Sequence, residues 1–297
     1  MKNITIRQMR YLDALARTGH FGRAAEACAV SQPALSMQIR ELEAEAGGPL
    51  FERRAKGVTP TALGARLTGR VREILRAVDE LQDMARAGAD SLSGEVRLGV
   101  IPTVAPYLRP RVISALGRER PTLDLNIRET ITPRLIDALE DGSLDAAIIA
   151  LPVQEGWLTS YPLLDETFVL VRPRAQEGQP VPSHEGLTEM RLLLLEEGHC
   201  FRDQALSFCA LAPSKPREIM DGSSLSTLVQ MVSAGIGVTL IPEMAAPVET
   251  RSADVVLQDF PAPAPARKLG LVWRKTSPLS KQFQELGRII AEAARAT

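Results

Sequence analysis

Apolar positions along residues 5–18 recur at helical spacing, so that Ile6, Met9, Leu12, Leu15 and Ala16 share one face. The pattern then predicts a short helix over 22–28 that turns Ala24, Ala25 and Cys28 inward, followed by a turn at Ala29 and Val30. Ser31 is a good N-cap, and Pro33 falls in the first turn of a third helix, where its missing N–H costs nothing. Leu35, Ile39 and Leu42 form that helix's inner face, with Ser36 and Arg40 on the opposite side. Two short helices joined by a tight turn, with a polar outer face on the second, predict a helix-turn-helix, although an arbitrary helical hairpin shares the pattern. PLFERRAKGVTPT continues as a strand, a basic turn holding Arg53, Arg54, Lys56 and Gly57, and a strand end, the pattern of a β-wing that touches phosphates. Thr59 or Thr61 can cap a long helix over 60–89, in which Leu63, Leu67, Val71, Ile74, Val78, Leu81 and Ala85 recur every three or four residues. That stripe is either a dimer seam or a face packed on the protein's own body.

From Gly94 the period changes. GEVRLGV alternates Val96, Leu98 and Val100 as a strand does; a helix follows over 105–118, then a strand in LDLNIRET and a helix in TPRLIDALEDGSL. DAAIIAL, FVLVRP, RLLLLEE, VTLIP, DVVLQDF and KLGLVWR read as further strands, with helices over 224–234 and over the amphipathic C-terminal segment. Strands alternating with helices predict a mostly parallel α/β sheet. GIGVTLIP follows a helix and precedes a strand, the reverse of a dinucleotide fingerprint, and is read as a turn. His20 and His184 fall in turns without sequence partners and are read as solvated or structural.

The 297 residues exceed what one core usually serves, which predicts about two domains and a connector: a DNA-binding head over 1–58, a linker helix over 59–90 and a body over 91–297. The net charge of −1 names no partner, but residues 1–90 carry an excess of Lys and Arg and the remainder an excess of Asp and Glu, compatible with nucleic-acid binding by the head. No segment holds the roughly 18–20 apolar residues of a membrane span, and the N-terminus lacks the apolar run of a signal peptide. A cytoplasmic protein is expected, in which any disulfide is transient and functional.

EGHCFRDQALSFCA, residues 197–210, holds two of the three cysteines, Cys200 and Cys209. Nine steps of about 100° would set the thiols on opposite faces of a single helix, about 13–14 Å apart along its axis, against a disulfide limit near 7 Å between α-carbons. A bond between them therefore requires the segment to refold. Cys200 follows a strand end and a Gly-His pair, placing it at a helix start where the dipole favours a thiolate, and His199 and Arg202 add donor character. Cys209 lies among Leu206, Phe208, Ala210 and Leu211, an apolar setting that keeps a thiol inert until exposed. Two unreactive buried thiols remain the bland alternative; a metal site lacks a fourth ligand at sensible spacing.

TIRQMRYLDALARTGHFGRAAEACAVSQPALSMQIRELE, followed by PLFERRAKGVTPTALG, resembles the head of a LysR-type transcriptional regulator, and the order of parts matches along the chain. The resemblance implies a winged helix-turn-helix with Ser31, Gln32, Pro33 and Ser36 in or at the major groove and Arg53, Arg54 and Lys56 on phosphates. It also implies a regulatory domain of two lobes like those of periplasmic binding proteins, lobe I over about 91–164 and 268–297 and lobe II over about 165–267. LLLLEEGHCFRDQALSFC, with GVIPTVAPYL and ETITPRL, is similar to the hydrogen-peroxide-sensing OxyR branch of that family. There a first cysteine is oxidised to a sulfenic acid that a second converts to a disulfide, roles that fall on Cys200 and Cys209. Thr103 and Thr132 match threonines that position peroxide and water, His199 and Asp203 the flanking polar residues, and Arg267 an arginine that stabilises the thiolate. Phe201 replaces the more usual leucine, and the segment from Val171 to Glu189 is shorter and richer in proline than the family pattern.

The expected function is a peroxide-responsive transcriptional regulator without a cofactor or metal. Its expected partners are promoter DNA, hydrogen peroxide, further copies of itself in a dimer or tetramer, RNA polymerase, and a glutaredoxin or thioredoxin reductant. Two other readings remain: a regulator triggered by a small carboxylate or aromatic ligand in the interlobe cleft, where GSSLSTLVQ offers hydroxyls and a helix N-terminus, and a thiol peroxidase that turns over. No reductant-docking site is legible for the latter, and a DNA-binding head is superfluous to it.

Overall fold

The computed structural model describes residues 4–54, 57–87, 93–208 and 220–295, and divides into two compact units, Met1–Ala85 and Arg86–Thr297.

In the first unit α1 (Ile6–Thr18), α2 (Phe21–Ala27) and α3 (Gln32–Ala46) are followed by β1 (Phe51–Arg54), β2 (Gly57–Pro60) and the long α4 (Ala62–Ala87). Each start has a chemical cause. Thr5 and Gln8 form a capping box on α1, His20 Nδ1 accepts from Gly22 N–H at the start of α2, and Ser31 caps α3. His20 thus has a structural role. Of the two threonines that could cap α4, Thr61 does so, accepting from Gly64 N–H at 3.0 Å. Leu12, Leu15, Ala24, Leu35, Ile39, Leu42 and Leu50 fill the core, and β1 and β2 pair antiparallel as a wing. Only glycine fits at position 57: its φ is +132°, and a Cβ there would stand 2.3 Å from the carbonyl oxygen of Gly19.

The stripe on α4 divides. Leu63, Leu67 and Val71 pack on the head's own core, and Arg72 is tied to Asp13 of α1 at 2.8 Å, whereas Ile74 and Leu81 are exposed. The first turns therefore serve the head, because α4 crosses its core before leaving it.

The second unit runs β3 (Gly94–Val100), α5 (Ala105–Glu119), β4 (Leu123–Glu129), α6 (Thr132–Glu140), β5 (Ala146–Leu151) and β6 (Leu158–Pro173). It continues with α7 (His184–Glu189), β7 (Leu192–Leu195), α8 (Cys200–Phe208), β8 (Met220–Gly222) and α9 (Leu225–Ser233). The last elements are β9 (Val238–Pro242), α10 (Ala246–Glu249), β10 (Val255–Asp259), β11 (Ala266–Arg274) and α11 (Ser280–Arg295). Strands follow the order β4-β3-β5-β11-β6-β9-β7-β8, with β10 also on β6. Two hydrophobic cores form: one around Leu98, Ile149, Trp273 and Phe283, the other around Phe168, Leu194, Phe201 and Val229. The unit is a two-lobed α/β domain.

The expectation of a mostly parallel sheet is corrected at its centre. The pairings of β3 with β4 and β5, and of β7 with β8 and β9, are parallel, but every pairing of β6 and β11 is antiparallel. These two strands carry the chain from one core to the other and back, so they run against each other. The first half of β6 escapes sequence reading because Pro162 argues against a strand; it is accommodated where the register shifts between Leu269 and Gly270. The proline-rich segment after β6 is gathered by buried Arg172, which donates to Gln176, Gln179, Pro180 and Gln258.

Candidate functional site

Strand β7 is buried along its whole length and ends in the turn Glu196–His199, from which α8 starts at Cys200. Gly198 in that turn has φ +91°. The first two residues of α8 face different lobes. Phe201 is buried in the second core, edge to face with Phe168 at 4.8 Å between centroids, whereas Cys200, half-buried and a free thiol, packs against the first core. The thiol thus lies on the seam between the lobes.

Around it closes a narrow cleft lined by Thr103, Thr132, His199 and Cys200 among walls that include Ile101 and Ile131. Thr103 and Ile101 come from the segment between β3 and α5, and Thr132 opens α6. Thr132 Oγ1 is buried and meets no hydrogen-bond partner among the described residues. Burial pushes the His199 imidazole below its ordinary value, with nearby Glu196 pulling the other way, so the ring is neutral at neutral pH.

Arg267 stands behind Thr103. Its guanidinium donates from Nη1 to Thr103 Oγ1 at 2.8 Å and from Nη2 to the Thr103 carbonyl at 3.1 Å. It lies 5.4 Å from the Phe201 ring centroid, and its Nε donates to Glu166 at 2.6 Å. Arg267 is therefore one residue removed from the cleft rather than on its wall. Glu166 is the residue that sequence reading missed. The signal was there: Glu166 shares the inward face of β6 with Phe168, and Arg267 that of β11 with Leu269, two charges on apolar faces and directly opposite in register.

The remaining expected residues fall as follows. Asp203 is exposed in the first turn of α8 and does not line the cleft; there its charge complements the helix dipole. Arg202 donates to the Leu195 carbonyl at 2.7 Å and pairs with Asp221 of β8, so its guanidinium fastens α8 to the second lobe rather than serving the thiol. Cys209 lies outside the described residues.

In the first unit, Ser31, Gln32 and Pro33 are exposed at the start of α3 and Ser36 is half-buried one turn on. Ser31 Oγ accepts from Ala34 N–H, so its hydroxyl serves the helix. Arg53 and Arg54 are exposed on β1, and Lys56 lies outside the described residues.

The segment GSSLSTLVQ does not present an anion site. Ser224 caps its own helix by accepting from Thr227 N–H at 3.2 Å, and Ser226 donates to the carboxylate of Glu249, which also accepts from Tyr107 of the opposite lobe at 2.6 Å. An anionic ligand there would meet Glu249. Burial, then this hydrogen bond, holds the Tyr107 phenol protonated.

Comparison with known proteins identifies both parts of the chain. Residues 6–65 match the family model of the bacterial regulatory helix-turn-helix protein, lysR family, and residues 89–295 that of the LysR substrate binding domain. The DNA-binding transcriptional dual regulator OxyR of Escherichia coli is 41% identical over 99% of this chain and 95% of its own length. The chain belongs to the OxyR family of LysR-type transcriptional regulators. A probable hydrogen peroxide-inducible genes activator of Mycobacterium avium is 40% identical over 97% of this chain and 94% of its own. Among solved structures, a full-length OxyR variant of Pseudomonas aeruginosa is 36% identical with a TM-score of 0.76, covering 100% of this chain and 96% of that one. A hydrogen-peroxide-bound mutant of Corynebacterium glutamicum OxyR is 33% identical with a TM-score of 0.68, covering 99% and 93%. The family is one of regulators, not enzymes, and among the described residues no helix is long and apolar enough to cross a membrane.

Proposed function

We propose that this chain is a transcriptional regulator switched by hydrogen peroxide at Cys200. The observation that carries the reading is the half-buried Cys200 thiol at the first residue of α8, facing Thr103, Thr132 and His199 across one narrow cleft. The sulfur attacks one oxygen of peroxide and the O–O bond breaks. The leaving hydroxide takes the thiol's proton to give water, and Cys200 is left as a sulfenic acid. The Cys209 thiol then displaces the sulfenic oxygen as a second water, forming the disulfide. The Thr132 hydroxyl, without a partner among the described residues, is a ready contact for the substrate.

The switch lies in geometry. The helix runs to Phe208, and Cys209 is the next residue, so closing the disulfide requires α8 to unwind. Unwinding releases Phe201 and Arg202 from the second lobe and removes Cys200 from the first, which gives the local oxidation a lever on the whole body. The basic wing residues Arg53 and Arg54 and the exposed start of α3 are assigned to promoter DNA, and Ile74 and Leu81 on α4 to self-association into a dimer or tetramer. RNA polymerase and a glutaredoxin or thioredoxin reductant complete the cycle of a cytoplasmic regulator.

The narrow cleft beside Cys200, lined by the hydroxyl-bearing Thr103 and Thr132, suits a peroxide better than a bulky carboxylate or aromatic effector, whose sites are usually roomy and largely apolar. Mass mapping after stoichiometric peroxide tests the reading. A Cys200–Cys209 disulfide is expected, and Cys200→Ser is expected to bind DNA but ignore peroxide; a normal peroxide response in that variant rejects it.

A further inference from the structure

Glu166 is a buried carboxylate that the switch described above does not use. It lies on β6 directly opposite Arg267 of β11, at the level where these strands pass between the lobes, and both side chains are sealed from solvent. One carboxylate oxygen accepts from Arg267 Nε at 2.6 Å, and the other from the backbone N–H of Met244 at 3.3 Å. Burial raises the Glu166 carboxyl and Arg267 pulls it back down.

A guanidinium is a rigid planar fork, so holding one edge aims the others. With Nε fixed on Glu166, Nη1 and Nη2 are directed at Thr103 Oγ1 and the Thr103 carbonyl. Arg267 therefore fills a lone pair of the Thr103 hydroxyl and leaves its single proton available to the cleft that Cys200 lines. Peroxide cleavage develops negative charge on the departing oxygen, and a fixed donor polarised by a cation stabilises that charge. Glu166 does not touch this chemistry. It decides where Arg267 points, and Arg267 decides how Thr103 points.

We infer that Glu166 is a positioning residue for the peroxide step, acting through Arg267 on the Thr103 hydroxyl; this rests on the peroxide reading above. The relay's value is specific to peroxide. Alkylation by iodoacetamide expels iodide, which needs no hydrogen bond from Thr103, so a change in thiol reactivity alone would move both reagents together.

The experiment uses the full-length reduced protein and measures the rates of Cys200 with hydrogen peroxide and with iodoacetamide for the parent, Glu166→Gln, Thr103→Val and the double variant. Glu166→Gln is expected to slow the peroxide reaction about tenfold through misaim of the relay while alkylation stays near the parent rate. In the Thr103→Val background it should add no further slowing, because both changes act on one hydroxyl. An unchanged peroxide rate, equal slowing of both reagents, or full multiplicativity with Thr103→Val overturns the inference. Should Glu166→Gln fail to fold, Glu166→Asp, whose carboxylate is drawn back by one methylene, must show the same peroxide-selective slowing, and its absence overturns the inference too. A parent protein whose Cys200 ignores peroxide sinks both this inference and the proposed function; a reactive parent with unmoved variants sinks the positioning role alone.

Discussion

Gly198 and Ile131 meet across the seam between the lobes: a Cβ on Gly198 would stand 2.7 Å from Ile131 Cδ1. The turn before α8 is thus seated on the first lobe with no side chain between, which brings Cys200 into the same cleft as Thr132.

Gly198→Ala meets two obstacles there. Its φ of +91° is left-handed, costing an L-residue about 1–2 kcal/mol, and the Ile131 methyl must move aside. Urea unfolding should show the loss, and the peroxide rate should fall as the turn backs away from the cleft. Adding Ile131→Val should recover the steric part only. A parent-like midpoint for Gly198→Ala would mean that the turn is not held as described.

Thr132→Val should separate stability from function. The Thr132 hydroxyl is buried without a partner among the described residues, so an isosteric valine removes a polar group whose unsatisfied burial costs about 1–3 kcal/mol. The variant is expected to unfold at an equal or higher urea concentration and to react more slowly with peroxide. Lower stability with unchanged reactivity would assign the hydroxyl a structural partner instead.

How much of this was legible in the sequence differs between the parts. The head was readable because its helices declare themselves by caps and periodicity: Ser31 and Pro33 at one start, Leu35, Ile39 and Leu42 along one face. Cys200 at a helix start was readable from the strand end and the Gly-His before it. The central antiparallel strands were not, since Pro162 masks the first half of β6 and chain direction leaves no local trace. The pairing of Arg202 with Asp221 and the relay from Glu166 to Thr103 depend on residues 19 to 164 positions apart, which no local pattern reports. The donor role given to Arg202 from its adjacency to Cys200 shifts for the same reason: neighbours in sequence leave a helix start in different directions.

Phe201 should set how readily the second step occurs. Its ring packs on Phe168 and faces Arg267, and both contacts must break before Cys200 can reach Cys209. Phe201→Leu removes an aromatic pair contributing about 0.5–1.5 kcal/mol beyond its buried area. Conversion of the sulfenic acid to the disulfide is then expected to quicken by roughly fivefold per kcal/mol, while the first oxidation changes little. Quenched time points read by mass spectrometry check this. An unchanged closure rate would show that unlocking α8 is not what limits it.

His199 gives the fold a pH dependence with a definite sign. Burial, only partly offset by Glu196, lowers its affinity for a proton in the folded state. The unfolded chain, with histidine near 6.5, therefore binds more protons as pH falls through that value. The stability tied to neutral His199 is fully present above about 6.5 and is lost as pH falls below it, towards the depressed folded value. Urea midpoints measured from neutral pH down through this window should decline more steeply for the parent than for His199→Asn, which cannot titrate. Parallel declines would place the pH-sensitive burial elsewhere. At neutral pH the uncharged ring keeps one nitrogen as acceptor beside Cys200, so His199→Asn should also flatten the peroxide rate's pH profile over the same interval.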